Sequence, residues 1–277
     1  MRRPISVPKL LPNRDTELTM TRHIPFDGID NFRDFGDYAA GARRLRPGVL
    51  YRAAHQARAT DADLAKLAEM GLSVIVDLRR SNEREREPSR RWDGFSAQVI
   101  ENDIGQEAAD EWSTFIASSD LSVDSFHAYM RDYYRAAPGQ RRHIDLYTRY
   151  FQALAETTGP ILVHCAAGKD RTGIICALTH HVAGVHDDDI IQDYLLTNNH
   201  ERMVARLPVM REHVTQASGG RVPSDEALLT AMRVEAEYLE EAFQVMRRDH
   251  GSLDGYLDQA LGLTPALRER IHDRLLA

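Results

Sequence analysis

The chain has 277 residues, 43% of them hydrophobic and 28% charged, which is the composition of a globular protein with its own core. A formal net charge of -7 argues against broad nucleic-acid binding, and no apolar run is long enough to cross a membrane. Its two cysteines, Cys165 and Cys176, exclude a disulfide framework and indicate a reducing compartment. No C-x-x-C spacing occurs, so we expect neither a metal nor a cofactor.

Residues 1–22 carry three prolines and little apolar periodicity, which predicts an N-terminal arm ahead of a single domain at 23–277. Two arginines follow Met1, but no apolar segment comes after them, so a secretory signal is not expected. We therefore expect a cytoplasmic monomer, or export without a recognisable signal.

The first half of the domain alternates short strands with helices. Glycines and a proline break residues 24–52 into strands and turns, the last strand at 49–51. Thr60 and Asp63 resemble a capping box, and Gly71 ends the helix that they begin. Residues 72–78 and 97–100 are strand candidates. Two further segments have no strand pattern: the charged stretch 83–91, with Arg84, Arg86, Arg90 and Arg91, predicts a solvated face, and 102–121 predicts a long loop.

The second half is mostly helical. Helices are predicted from Ser122 onward, over 144–154, 190–196 and 203–214, as one long helix over 228–246, and as short helices near Tyr256 and over 267–275. Helices around a few parallel strands make an α/β fold with a small, mostly parallel central sheet.

One stretch, residues 160–173, is placed for chemistry. The apolar run 161–163 predicts a buried strand, Cys165 follows it, and a helix begins near Thr172. The N-terminus of a helix offers free N–H groups and the positive end of a dipole, which favour an anion and a nucleophilic thiolate. Cys176 lies inside that apolar helix and is read as a buried structural thiol.

The residue types from 165 to 172 suit phosphoryl transfer. A thiolate at Cys165 can attack phosphorus, and Arg171 offers a planar fork for two phosphoryl oxygens. Gly168 permits unusual dihedrals, so the N–H groups around Ala166 and Ala167 can face an anion. The hydroxyl of Thr172, at the helix start, can hydrogen-bond the thiolate.

The leaving oxygen needs a proton, so an acid must lie nearby. Asp170 stands inside the loop, whereas Asp77 ends a predicted strand, where crevices open in α/β sheets. Asp34 and Asp103 are weaker candidates, and Asp34 is expected to form a structural ion pair with its neighbour Arg33. His164 is expected to orient its neighbours rather than to act as a base.

Residues 164–173, His-Cys-Ala-Ala-Gly-Lys-Asp-Arg-Thr-Gly, resemble the signature of cysteine-dependent phosphatases, and more narrowly of bacterial atypical tyrosine phosphatases that act on lipids and proteins. Stretches 31–36, 50–53, 76–79 and 193–196 also agree, so the resemblance covers about 23–276. It implies the cysteine-phosphatase fold, Asp170 as the general acid, Lys169 as a substrate contact and a helical lid at about 187–250.

The resemblance also implies a phosphocysteine enzyme acting on phosphotyrosine, with phosphoserine, phosphothreonine or phosphoinositides tolerated. Tumour-suppressor-type phosphoinositide phosphatases carry a second lysine after the cysteine, where this chain has Ala166, so phosphoinositides are not favoured. A non-catalytic phosphate-binding pseudophosphatase is the alternative, and a sulfur-transfer loop ranks last.

Overall fold

The computed structural model describes residues 22–105 and 111–277, so nearly all of the predicted N-terminal arm lies outside the described residues. Seven strands are formed in this part of the chain: β1 (Arg33–Asp34), β2 (Ala39–Ala40), β3 (Arg43–Arg44), β4 (Leu50–Ala53), β5 (Val74–Asp77), β6 (Gln98–Ile100) and β7 (Ile161–His164).

Twelve helices are formed in the same part of the chain: α1 (Asp61–Glu69), α2 (Ser81–Arg86), α3 (Glu111–Ser118), α4 (Val123–Ala136), α5 (Arg141–Glu156), α6 (Asp170–Ala183), α7 (Asp187–Leu195), α8 (His200–Ala217), α9 (Asp225–Met232), α10 (Ala236–His250), α11 (Leu253–Gln259) and α12 (Pro265–Leu275).

The central sheet has the order β1-β4-β7-β5-β6, and only β1 runs antiparallel to its neighbour. This confirms the predicted α/β class with a mostly parallel sheet. The central strand β7 aligns His164 with Ala53 on one side and with Asp77 on the other. The carboxyl ends of three parallel strands therefore meet at one edge, where the loop after β7 begins.

Alternating side chains of the strands build a core on each face of the sheet. Ile161 and Val163 of β7 face a large cluster that α5 and α6 complete, whereas Leu162 faces a smaller cluster that includes Leu64 and Leu67 of α1. Burial on both faces explains why these strands are short continuous apolar runs without polar alternation.

The first helix begins and ends where the sequence predicts. The Thr60 hydroxyl accepts from the N–H of Asp63, whose carboxylate accepts from the N–H of Thr60, so the capping box is confirmed. Gly71 follows the helix with a φ of +61°.

Two predictions of secondary structure are wrong. Residues 111–118 of the predicted loop form α3, a helix of only two turns that is too short for its apolar period to stand out. The predicted helix over 228–246 is two helices, because the chain leaves the helical conformation after Met232. At that break Asn198 donates to the carbonyl of Val234 and accepts from its N–H, which fixes the extended linker.

A third apolar cluster lies apart from the sheet and joins α3, α4, α8 and α9; its buried members include Phe126, Val214 and Leu228. Helix α10, by contrast, packs into the large core beside the sheet through Tyr238 and Phe243. Across residues 22–105 and 111–277, no helix is long and apolar enough to span a bilayer.

Candidate active site

The loop from Cys165 to Lys169 joins the central strand to α6, which starts at Asp170, two residues before the predicted start. Gly168 has a φ of +64°, and a Cβ added there would lie 2.4 Å from the carbonyl carbon and oxygen of Ala53. No other residue type fits, because both the dihedral and the space against β4 demand glycine.

The carbonyls of the loop are held from outside. Asn31 Nδ2 donates to the Gly168 carbonyl at 2.8 Å, and Arg52 Nη2 donates to the same oxygen at 3.2 Å. The Ala166 carbonyl accepts from the N–H of His55. No acceptor among the described residues engages the N–H groups of Ala166, Ala167 and Gly168. Peptide units fixed in this way offer free N–H donors to an anion.

A buried ionic cluster supports the donors. Asp193 contacts Arg52 Nη1 at 2.8 Å and Arg33 Nε at 3.4 Å, and Arg33 Nη1 donates to Asn31 Oδ1 at 2.6 Å. Burial opposes the charge of Asp193, but the two guanidinium groups lower its pKa to about 2. The predicted Arg33–Asp34 ion pair is wrong: Asp34 instead accepts from the N–H groups of Gly36 and Gly48.

The two cysteines have different surroundings. Cys165 is 2% exposed and lines a cavity of about 540 Å³. Cys176 is enclosed in the core, where burial raises the pKa of its thiol to about 12. The predicted hydrogen bond between Thr172 and Cys165 is not formed, since the buried Thr172 Oγ1 has no partner in the described part of the chain.

The guanidinium of Arg171 is clamped by a carboxylate that sequence reasoning missed. Arg171 Nη1 and Nη2 donate to Glu83 Oε2 and Oε1 at 2.5 and 2.7 Å, and Nη1 also donates to the Leu78 carbonyl at 3.1 Å. Burial opposes ionisation of Glu83, but Arg171 lowers its pKa to about 2.

The charged stretch 83–91 is therefore not simply the solvated face that its composition predicts. Glu83 is turned inward to Arg171, and the Arg84 side chain is 14% exposed and donates to the Arg79 carbonyl. Interleaved charges look alike in sequence whether they face water or a buried partner.

Asp170 and Lys169 are adjacent in sequence but have different partners. Asp170 Oδ1 accepts from the Tyr134 hydroxyl at 2.9 Å, and its Oδ2 lies 3.6 Å from Lys169 Nζ. Lys169 Nζ donates to the carbonyls of Ala231 and Arg233 at 2.6 and 3.3 Å. Both side chains line the cavity beside Cys165.

Asp77 is buried and paired with an arginine. It is 1% exposed and forms a two-pronged pair with Arg79, with Nε to Oδ1 at 2.9 Å and Nη2 to Oδ2 at 2.7 Å. Burial opposes the charge, but His164, when it is protonated, and Arg79 hold the pKa of Asp77 well below its usual range. Burial also lowers the pKa of His164 to about 4, so at neutral pH this imidazole is neutral and Arg79 supplies the countercharge.

The remaining carboxylates considered as acids are engaged elsewhere. Asp34 is held by main-chain N–H groups, and Asp103 pairs with Arg84. Neither lines the cavity around Cys165.

The cavity combines positive charge with apolar walls. Lysines and arginines on its surface outnumber aspartates and glutamates by eight to five, although the whole chain is acidic. Helices α4, α8 and α9 add an apolar wall of Tyr129, Met130, Tyr133, Met203, Met210 and Met232. Such a site suits a ligand with an anionic head and an apolar or aromatic body.

Among residues 22–105 and 111–277, no group of three or more His, Cys, Asp or Glu side chains is placed to hold a metal ion.

The chain is similar to known proteins over most of its length. The family model described as the tyrosine phosphatase family matches residues 24–277. The triple specificity protein phosphatase PtpB of Mycobacterium tuberculosis is 33% identical over 279 residues, covering 92% of this chain and 99% of that protein. A Cupriavidus necator protein named as a candidate tyrosine-protein phosphatase is 33% identical over 245 residues, covering 87% of this chain and 85% of its own.

Proposed function

Because the chain belongs to the tyrosine phosphatase family, we propose that it hydrolyses phosphomonoesters, foremost phosphotyrosine in proteins, through a phosphocysteine at Cys165. The observation that carries the proposal is that Cys165 lines one cavity together with Asp170 and Arg171, on a loop whose N–H groups have no acceptor among the described residues. The substrate-binding residues of this proposal also include Ala166, Ala167, Gly168, Lys169 and Thr172.

In the first step the Cys165 thiolate attacks phosphorus, the S–P bond forms and the P–O bond to the leaving group breaks. The loop N–H groups and Arg171 stabilise the charge on the three equatorial oxygens. Asp170 gives its proton to the leaving oxygen. Asp77 is less suited to this role because its carboxylate is buried in the ion pair with Arg79.

In the second step the Asp170 carboxylate accepts a proton from water as the water oxygen attacks phosphorus. The S–P bond breaks, inorganic phosphate leaves, and the thiolate is restored. Glu83 acts on both steps through Arg171, because it fixes the guanidinium that must meet the phosphoryl oxygens.

The substrate class follows from the walls of the cavity. An aromatic phosphate ester can reach a deep thiol with its ring against methionines and tyrosines, which favours phosphotyrosine over shorter side chains. Phosphoserine, phosphothreonine and phosphoinositides remain part of the proposal, in line with the name triple specificity of the mycobacterial relative.

The lid expected at about 187–250 is proposed here as α8 and α9 alone. Both helices line the cavity and share the third apolar cluster, whereas α10 belongs to the large core. Lys169 and the ion pair between Arg206 and Asp30 link this lid to the body of the domain.

Turnover of p-nitrophenyl phosphate by the wild-type protein and by Cys165→Ser tests the reaction. We expect Cys165→Ser to reduce kcat by at least about 10⁴-fold. The variant should still bind a phosphotyrosine peptide, because the loop N–H groups and Arg171 are unchanged. Cys176→Ser is the matched control and should keep wild-type turnover, since that thiol lies in the core.

Undiminished turnover by Cys165→Ser would refute the proposal. A wild-type protein that binds the phosphotyrosine peptide without hydrolysing any aryl phosphate would instead be a phosphate-binding module.

A further inference from the structure

Two buried tyrosines connect the interior of the domain to Asp170. The Tyr134 hydroxyl lies 2.9 Å from Asp170 Oδ1 and 2.7 Å from the Tyr194 hydroxyl. Tyr134 comes from α4 and Tyr194 from α7, so three helices contribute one member each to a hydrogen-bonded line.

The direction of the line follows from proton counting. An ionised carboxylate oxygen can only accept a hydrogen bond, so the Tyr134 hydroxyl donates its single proton to Asp170 Oδ1. The bond between the two tyrosines then requires Tyr194 to donate to the Tyr134 oxygen. Burial raises the pKa of both phenols well above the ordinary value, so both hydroxyls keep their protons.

Packing fixes both rings. Tyr134 and Tyr194 are 0% and 1% exposed, and the Tyr194 ring lies so close to the first turn of α6 that a Cβ added to Gly173 would be 2.7 Å from Tyr194 Cε2. Tyr134 also packs against the Tyr238 ring, with 5.7 Å between centroids. The donor that meets Asp170 is therefore held by the fold rather than by a mobile side chain.

We propose that Tyr134, supported by Tyr194, is a positioning residue that determines which oxygen of Asp170 carries the catalytic proton. This inference rests on the proposed role of Asp170 as the general acid. In the proposed acid form Tyr134 keeps its hydrogen bond to Oδ1, so the acidic proton resides on Oδ2, the oxygen on the Lys169 side. The carboxyl group is thereby held in one rotamer with its proton in a fixed place, ready for the leaving oxygen.

The test compares phenyl phosphate, a poor leaving group that needs the acid, with p-nitrophenyl phosphate, a good one that needs it less. We expect Tyr134→Phe to lower kcat for phenyl phosphate about tenfold and for p-nitrophenyl phosphate less than about twofold. Tyr194→Phe should show the same selectivity at about threefold, since it acts through Tyr134.

Tyr150→Phe is the matched control. Tyr150 is also fully buried and its hydroxyl bonds Thr179 at 2.9 Å in the core, so this variant loses a comparable hydrogen bond without touching Asp170. It should leave the ratio of the two kcat values unchanged. In the Asp170→Asn background, Tyr134→Phe should cause no further selective loss.

The outcomes separate the two proposals. If Asp170→Asn loses rate selectively for phenyl phosphate while Tyr134→Phe and Tyr194→Phe match Tyr150→Phe, the positioning role is wrong and the acid stands. If Asp170→Asn loses rate equally for both esters, the assignment of the acid fails and the inference fails with it. Circular dichroism of each variant checks folding, and Tyr194→Phe carries the test if Tyr134→Phe does not fold.

Discussion

Gly168 and Gly184 both adopt positive φ, +64° and +81°, but their surroundings differ. A Cβ on Gly168 would meet the main chain of Ala53, whereas a Cβ on Gly184 would have nothing within 4 Å. A residue with a side chain would therefore strain the backbone at either position. Only at position 168 would that side chain also clash with an element that cannot move, the carboxyl end of β4.

This pair of glycines gives a controlled prediction. We expect Gly184→Ala to lower the free energy of unfolding by about 1 kcal/mol, the cost of a left-handed alanine, with kcat/KM unchanged. Gly168→Ala should lower the free energy of unfolding by about 3 kcal/mol or more and reduce kcat/KM at least about 100-fold, because the loop must shift and its N–H groups no longer point at the anion. Urea unfolding and aryl phosphate kinetics measure both. Equal effects in both variants would contradict the steric argument.

The sequence predicts the local part of the site and misses its remote partners. Cys165, Gly168 and Arg171 are recognisable because the chemistry of the loop depends on spacing over a few residues. Glu83 is 88 positions from Arg171 and Tyr134 is 36 from Asp170, and each lies in a stretch whose pattern has an ordinary explanation, charged surface or helical core. Their roles depend on how helices pack, which no short motif encodes.

At the scale of the secondary-structure elements, the break between α9 and α10 matters most for the site. A single helix over 228–246 would bond the carbonyls of Ala231 and Arg233 internally, whereas the break frees both for the Lys169 ammonium. The apolar periodicity continues across the break, which explains why the sequence predicts one helix. The residue expected to bind substrate thus also ties the proposed lid to the loop.

Removing the Lys169 ammonium should weaken the contact between the loop and the end of α9. We expect Lys169→Met to speed amide hydrogen exchange in 225–235 about tenfold in the absence of substrate, because a charged donor to two carbonyls is lost while the aliphatic stem is kept. Lys66→Met is the matched control, since Lys66 donates to the Pro25 carbonyl at 2.7 Å at the exposed surface, and its helix α1 contributes to a different apolar cluster from that of α9. Exchange in 225–235 that is equally slow in both variants would show that the apolar cluster alone holds the helix.

At the scale of the whole molecule, stability depends on buried carboxylates that stay charged. Asp193 and Glu83 have pKa values lowered to about 2, and that of Asp77 is also well below its usual range. Asp193 and Glu83 are each held by arginines from a distant part of the chain, so the ion pairs that shape the loop also join remote elements, whereas Asp77 pairs with Arg79, two residues further on. Acid therefore weakens the fold and the site together.

The sign of the effect follows from proton linkage. Glu83 has a folded pKa below its ordinary 4.5, so its ion pair with Arg171 stabilises the fold fully above that value and is lost as the pH falls toward 2. We expect the free energy of unfolding of the wild-type protein, measured by urea at pH 7, 5, 4 and 3, to fall steadily below pH 5. Glu83→Gln should be less stable at pH 7 but lose about 2 kcal/mol less between pH 7 and pH 3, because its amide takes up no proton. Glu240→Gln, which removes the partner of Arg247 in an exposed pair, should keep the wild-type slope. A wild-type slope in Glu83→Gln would mean that the pair with Arg171 adds no net stability, since the cost of burying both charges cancels their attraction.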